Sequence, residues 1–217
     1  MMKFRNRIDA GEQLAKALSF FSNNPNTLVI GLPRGGIVVA AVVAKNLNLP
    51  LDIVCPRKIR SPLNPEYAIG ATTEKGDGFI RDHTTLTDVQ IEKAFKREKS
   101  EAIRRVQFYR AGMPPRDLRK KCVIIVDDGV ATGATMIAAI HTVEAEEASR
   151  IVVAVPVAPH DCMRSIEDMI EVHEAHALFC PDPFFAVSNF YQDFSEVSDE
   201  IVRDILILAQ NEKFGLG

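Results

Sequence analysis

At 217 residues the chain is long enough for one large domain with a substantial core. Its 47% hydrophobic and 25% charged residues match a soluble globular protein and exclude a disordered or repetitive one. A net charge of -3 removes any bulk electrostatic case for a nucleic-acid partner.

The N-terminal stretch "MMKFRNRIDAGEQLAKALSFF" has no unbroken apolar segment and is not a signal peptide. Within it, Asp9 to Phe21 place Leu14, Ala17, Leu18 and Phe21 on one helical stripe. "TLVIGL" (Thr27–Leu32) follows as a short strand with both faces buried. "PRGG" turns it into "IVVAAVVAKNL", a helix despite its valines, and "LDIVCP" is the next strand. This is a βαβ unit, a parallel pair with a right-handed crossover.

The next stretch, "RKIRSPLNPEYAIGATTEKGDGFIRD", is rich in Pro and Gly and reads as irregular. "YAIGAT" and "GFIR" are its candidates for short antiparallel strands. Thr87 to Tyr109 form a charged amphipathic helix, with Thr87 or Asp88 as cap. Alternation then resumes: strand Val123–Val126, helix Gly133–Ala145, strand Ile151–Val155, helix Asp161–Met169, a strand near Val172–Phe179 and a terminal helix Glu196–Gln210. Repeated βα units predict an α/β fold around a central, mostly parallel sheet flanked by helices. No linker is long enough to divide residues 1–217, which read as a single domain.

Cys55, Cys122, Cys162 and Cys180 show no ligand spacing and read as thiols of a reducing compartment. The longest apolar runs fall short of a membrane span. Together these predict a cytoplasmic protein without a membrane partner. His173 and His176 form an HxxH, but on a strand they face opposite ways, which argues against a metal site.

The chemistry concentrates in "VIIVDDGVATGAT" (Val123–Thr135). A buried strand ends on two carboxylates, Asp127 and Asp128, and a small-residue loop opens a helix. Ligands of open α/β sheets bind beyond the carboxyl ends of strands. Free amides at a helix start suit a phosphate, and small side chains let it approach. The motif is neither a GxxxxGK[ST] loop nor a GxGxxG fingerprint, and no lysine ends a later strand as a receiver domain requires. "LPRGG" (Leu32–Gly36) repeats the strand-end logic, with bare amides at Gly35 and Gly36 and a fixed charge on Arg34.

"VDDGVATGAT" resembles the phosphoribosyl-diphosphate (PRPP) binding loop of type I phosphoribosyltransferases. Together "GLPRGG", "RK…NPEYAIGA", "VDDGVATGATM", "VPVAP" and "FYQDFSEVSDE" look like a bacterial group of predicted phosphoribosyltransferases with no assigned acceptor. The resemblance spans nearly the whole chain. It implies the type I phosphoribosyltransferase (Rossmann-like) fold, with a hood from residues 180–200 and parts of the N-terminal segment. It implies transfer of a 5-phosphoribosyl group from PRPP to a nitrogen acceptor, a nucleobase, with release of pyrophosphate.

By that resemblance Asp127 and Asp128 hydrogen-bond the ribose hydroxyls. The loop Gly129, Val130, Ala131, Thr132, Gly133, Ala134 and Thr135 holds the 5′-phosphate, with Ala131 to Thr135 at its centre. Arg34, Gly35 and Gly36 hold the pyrophosphate, with a cis peptide expected at Pro33–Arg34. "PRKIRSPLNPEYAIG" (Pro56–Gly70) is the mobile loop, whose Arg57, Lys58 and Arg60 bring cations to the leaving group; Glu66 orients one of them or contacts substrate. Phe184, Phe185, Phe190 and Tyr191 are the hood aromatics. Mg2+ is the implied cofactor, bound through PRPP and waters near the acid pair, and a homodimer is the expected assembly. Purine-specific relatives carry a lysine before the hood, whereas "VAVPVAPHD" has none, which argues against ordinary 6-oxopurine recognition. The alternative implied by the same fold is a non-catalytic PRPP- or nucleotide-binding regulator.

Overall fold

The computed structural model describes residues 3–64, 67–80, 86–114 and 117–211. Helix α1 (Arg7–Ala17) starts where the Asn6 side chain accepts the Asp9 amide, and it buries Leu14. Leu18 and Phe21 of the predicted stripe are buried beyond the helix end, while Ala17 is exposed. Strand β1 (Thr27–Gly31) is buried throughout and leads into α2 (Gly36–Leu47). Four valines do not prevent α2 from forming, because Ile37, Val39, Ala40, Val43, Ala44 and Leu47 are all covered. Burial on both sides outweighs the weak β preference of these residues. Asn48 ends the helix in the left-handed conformation, and β2 (Leu51–Ile53) follows.

In the stretch read as largely irregular, the two candidate strands form as β4 (Ala68–Thr72) and β5 (Gly78–Ile80), and a strand not expected there, β3 (Arg57–Arg60), completes an antiparallel sheet in the order β3-β4-β5. Pro56 and Pro62 flank β3 without entering it, and its pairing with β4 shifts register between Ile59 and Arg60. Ile59 anchors it, fully buried with Ile69, Ile91 and Ala94. The helix α3 (Asp88–Arg110) carries a complete capping box between Thr87 and Gln90.

Strand β6 (Cys122–Val126) leads to α4 (Ala134–Ala145), β7 (Arg150–Val157), α5 (His160–Glu167), β8 (Glu174–Phe179) and α6 (Asp199–Asn211). The main sheet is parallel, in the order β2-β1-β6-β7-β8. Its residues alternate between two cores. Val29, Ile124, Val126, Val152 and Ala154 face α1 and α2. Leu28, Ile30, Val123, Ile125, Val153 and Val155 face the side of α4 and α5, where Met136, Ile140 and Met163 lie. A parallel sheet covered on both faces must read as continuous apolar runs, and these strands do.

The order places the site. From β1 the chain crosses to β2 on one side, and β6 then joins β1 on the other. The strand order reverses between β1 and β6, and a crevice opens beyond their carboxyl ends. Asp127 and the loop after Leu32 both lie there. No helix among the described residues is long and apolar enough to cross a membrane.

Candidate functional site

Beyond Val126 the chain forms the loop 127–133, then α4. Val130 points into the core at 3% exposure, and its amide donates to Val157 O at 3.0 Å. Gly129 is buried beneath Val187 and Val157. These two residues anchor the loop, and Val130's amide is already committed. Ala131 and Thr132 are exposed, and Gly133 precedes α4 at φ +76° with no side-chain cap. The amides of Ala134, Thr135 and Met136 open α4, where no intrahelical partner exists. The part of the loop beyond these anchors is therefore Ala131–Thr135.

The loop after β1 lies directly against the acids. The Leu32 amide donates to Val126 O at 3.0 Å, extending the β1–β6 ladder. The Pro33–Arg34 peptide is cis. A Cβ on Gly36 would stand 2.5 Å from Asp127 Oδ1 and 2.8 Å from its Cα, and one on Gly35 would collide with Asp128 Oδ2. The glycines are required by this close approach. Arg34 Nη2 donates to Glu196 Oε1 at 2.6 Å.

The acids form a wired pair. The Asp128 amide donates to Asp127 Oδ1 at 2.8 Å. Arg7 Nε donates to Asp128 Oδ2 at 2.7 Å, and the Tyr191 hydroxyl donates to Asp128 O at 2.6 Å. Burial, then the neighbouring Asp128 charge, pushes Asp127 well above the usual carboxylate range. Burial also raises Asp128, but Arg7 opposes the rise. The pair thus favours Asp128 as its ionised member. Burial raises the Tyr191 hydroxyl, which stays protonated and donating.

On β3, alternation separates the predicted cations. Arg57 turns to α3, with Nε and Nη2 at 3.1 and 2.9 Å from Glu98 Oε2. Lys58 and Arg60 lie on the other face. They line a cavity of about 430 Å³ with Tyr67, Ala68, Gly70, Phe79, Thr132 and Ala134. Lys58 thus shares a cavity with Thr132 and Ala134, and Arg57 does not. The C-terminal aromatics also divide. Phe190 and Tyr191 are 1% and 3% exposed, in a cluster with Phe4 and Val157. Phe184 stacks on Phe190 at 5.3 Å, and Phe185 is exposed.

The chain matches the phosphoribosyl transferase domain over residues 3–183. It belongs to that family. The crystal structure of TT1426 from Thermus thermophilus is 40% identical, with a TM-score of 0.81 over 95% of this chain and 99% of that one. A Mycobacterium tuberculosis (strain H37Rv) protein provisionally named a phosphoribosyl transferase is 38% identical over 216 residues, 98% of this chain and 48% of its own length. The chain therefore spans about half the length of the curated relatives it matches. A hypothetical protein from Neisseria gonorrhoeae, crystallised with bound ppGpp, shares the fold at 14% identity. Its TM-score is 0.53, over 95% of this chain and 94% of that one.

Within this phosphoribosyl transferase domain, the structure brings together Asp127, Asp128, Gly35, Gly36 and the loop 131–135 at the switch point. Lys58 faces Thr132 and Ala134 of that loop across a cavity. Arg57, Val130, Phe190 and Tyr191 hold neighbouring elements in place instead. Glu66 lies outside the described residues. Sequence reasoning missed Arg7 and Glu196, and left Arg60 among the loop cations without a site role. Arg7 lies 121 residues from its partner, so no local pattern signals it. Arg60 was findable, since it shares Lys58's parity once β3 is a strand.

Proposed function

We propose that the chain is a PRPP-dependent phosphoribosyltransferase that transfers the 5-phosphoribosyl group to a nitrogen acceptor, a nucleobase, and releases pyrophosphate. The observation that carries this reading is one crevice holding two complementary parts. An acid pair and a set of uncapped helix amides flank it within one loop of β6 and α4. A ribose 5-phosphate has hydroxyls for the first and a dianion for the second.

In this reading the 5′-phosphate accepts from the amides of Ala131–Thr135, and Thr132 and Thr135 add hydroxyl donors. Asp127 and Asp128 accept from the ribose diol. The diphosphate lies toward Gly35, Gly36 and Arg34. The C1–O bond to diphosphate breaks with its electron pair leaving on oxygen, and positive charge builds on the ribose. The acid pair tolerates that charge, while Arg34 and Lys58 stabilise the departing oxygens. The acceptor nitrogen bonds to C1 and releases its proton. Phe184 and Phe185 are the aromatic faces left for a base, and the other hood rings support them from the core.

The acid pair fits Mg2+, because it offers hard carboxylate oxygens beside the proposed diphosphate site. No group of three or more His, Cys, Asp or Glu among the described residues is arranged for a metal. Asp127 and Asp128 would therefore hold it through waters, with diphosphate completing the shell. When bound, the ion neutralises diphosphate charge.

The test is pyrophosphate release from PRPP across a panel of nucleobases and related amines. The double variant Asp127→Asn, Asp128→Asn abolishes turnover in this reading, and wild-type rates in it would sink the mechanism. A second reading is a PRPP- or nucleotide-binding regulator, favoured by the burial of Phe190 and Tyr191, which leaves few open rings. Tight PRPP binding without pyrophosphate release for any acceptor would select it.

A further inference from the structure

We infer that Arg7 is a positioning residue of the site. It clamps Asp128 from the N-terminal arm, so that the acid pair presents one fixed face to the ribose. The inference rests on the phosphoribosyl-transfer reading of the acid pair, and it assigns a role to a segment outside the family motifs.

Arg7 sits where three parts of the molecule meet. Its Nε donates to Asp128 Oδ2 at 2.7 Å, and its Nη1 donates to Ser195 O at 2.8 Å. Its Cζ lies 3.8 Å from the centroid of the Phe194 ring. A Cβ on Gly35 would come within 2.9 Å of its Nε and Nη2, so the pyrophosphate-loop candidate packs on its edge. The side chain keeps only 11% of its surface.

A guanidinium stapling the arm to the C-terminal segment needs only the Ser195 bond and the Phe194 face. Here the fork also takes one oxygen of Asp128, one of the two acids at the end of β6. The Asp128 amide in turn holds Asp127 Oδ1 at 2.8 Å. Arg7 thus fixes the Asp128 carboxylate, and the Asp128 backbone amide separately fixes that of Asp127 beside it. Two adjacent carboxylates otherwise repel, and a permanently charged planar donor is the group that offsets this while fixing direction. A lysine supplies the charge but only one point of attachment.

The experiment is a double-mutant cycle on PRPP affinity, measured by titration calorimetry on the full chain, with thermal melts of every variant. It uses wild type, Arg7→Met, Arg7→Lys, Asp128→Asn and Arg7→Met combined with Asp128→Asn. If Arg7 acts through Asp128, each of Arg7→Met and Asp128→Asn weakens PRPP binding by about 10–100-fold, and the double variant loses no more than about twofold beyond the worse single one. Arg7→Lys recovers part of the loss. If Arg7→Met does not melt cooperatively, Arg7→Lys takes its place in the cycle. A lower melting temperature with wild-type PRPP affinity would overturn the inference and leave Arg7 as a staple. So would losses that multiply in the double variant. Wild-type protein that does not bind PRPP overturns the transfer reading itself, and the role of Arg7 with it.

Discussion

Replacing Gly36 with alanine tests whether the two strand-end loops form one site. The new Cβ would lie 2.5 Å from Asp127 Oδ1, 2.8 Å from Asp127 Cα and 3.2 Å from Val126 O. Two of these are backbone atoms at the end of β6, which cannot rotate away. Relief requires either the start of α2 or the Asp127 backbone to move. Either shift disturbs the bond from the Asp128 amide to Asp127 Oδ1. Overpacking of this kind costs about 1–3 kcal/mol. Against it, alanine stiffens the unfolded chain, worth about 0.4–1 kcal/mol. The clash wins, and a net loss of about 1–2 kcal/mol corresponds to a fall of roughly 2–8 °C in melting temperature for a chain of this size. PRPP affinity, read by calorimetry, falls with it because Asp127 moves. Gly112→Ala is the control. Gly112 sits at φ +92° with nothing within 4 Å of its would-be Cβ, so it loses stability by backbone strain alone and keeps PRPP affinity. A Gly36→Ala protein with wild-type melting and wild-type affinity refutes the reasoning.

Glu196→Gln removes the carboxylate that holds Arg34, and diphosphate then binds a few-fold tighter in a competition titration; the pair is exposed, so the gain stays near the roughly 0.2–1 kcal/mol of surface ion pairs. Lys58→Met lowers turnover without lowering the melting temperature. Arg57→Met does the reverse, losing about 1–2 kcal/mol because Glu98 is buried and Arg97 covers it only in part; equal kinetic effects of the two variants would contradict the strand parity of β3. Hydrogen bonds from Arg104, then Arg105, hold Glu101 down at about 2. The folded chain therefore binds that proton more weakly than the unfolded chain. This stability is present above the ordinary carboxylate range and is lost as the pH falls toward about 2. Melting curves of Glu101→Gln show a shallower acid decline than wild type over that window.

Much of the crevice was legible in the sequence because its causes are local. Apolar runs in β1, β6 and β7 announce strands buried on both faces, and periodic Ile, Val and Ala announce the helices between them. A carboxylate pair followed by small residues and a helix start states its own chemistry, and "PRGG" does the same at β1. The misread parts have long-range causes. "RKIR" is a strand because Ile59 packs on Ile91 and Ala94 of α3, which a proline-rich stretch does not disclose. Arg57 and Lys58 are neighbours of like charge, yet the pleat sends one to Glu98 and the other to the cavity lined by Thr132 and Ala134. Phe190 and Tyr191 read as open aromatic faces, but the arm at Phe4 covers them.

The sequence by itself determined the α/β class, the strand ends at Asp127 and Leu32, and the small-residue loop that opens α4 at Ala131–Thr135. Periodicity, glycine and charge act over a few residues, so they can be read in order along the chain. Only the tertiary structure decided which residues share the crevice. Arg7 reaches Asp128 across 121 positions, and Glu196 reaches Arg34 across 162. Such contacts depend on where the sheet order reverses and on which segments close over that point. Those are properties of packed surfaces, and no short window of sequence contains them.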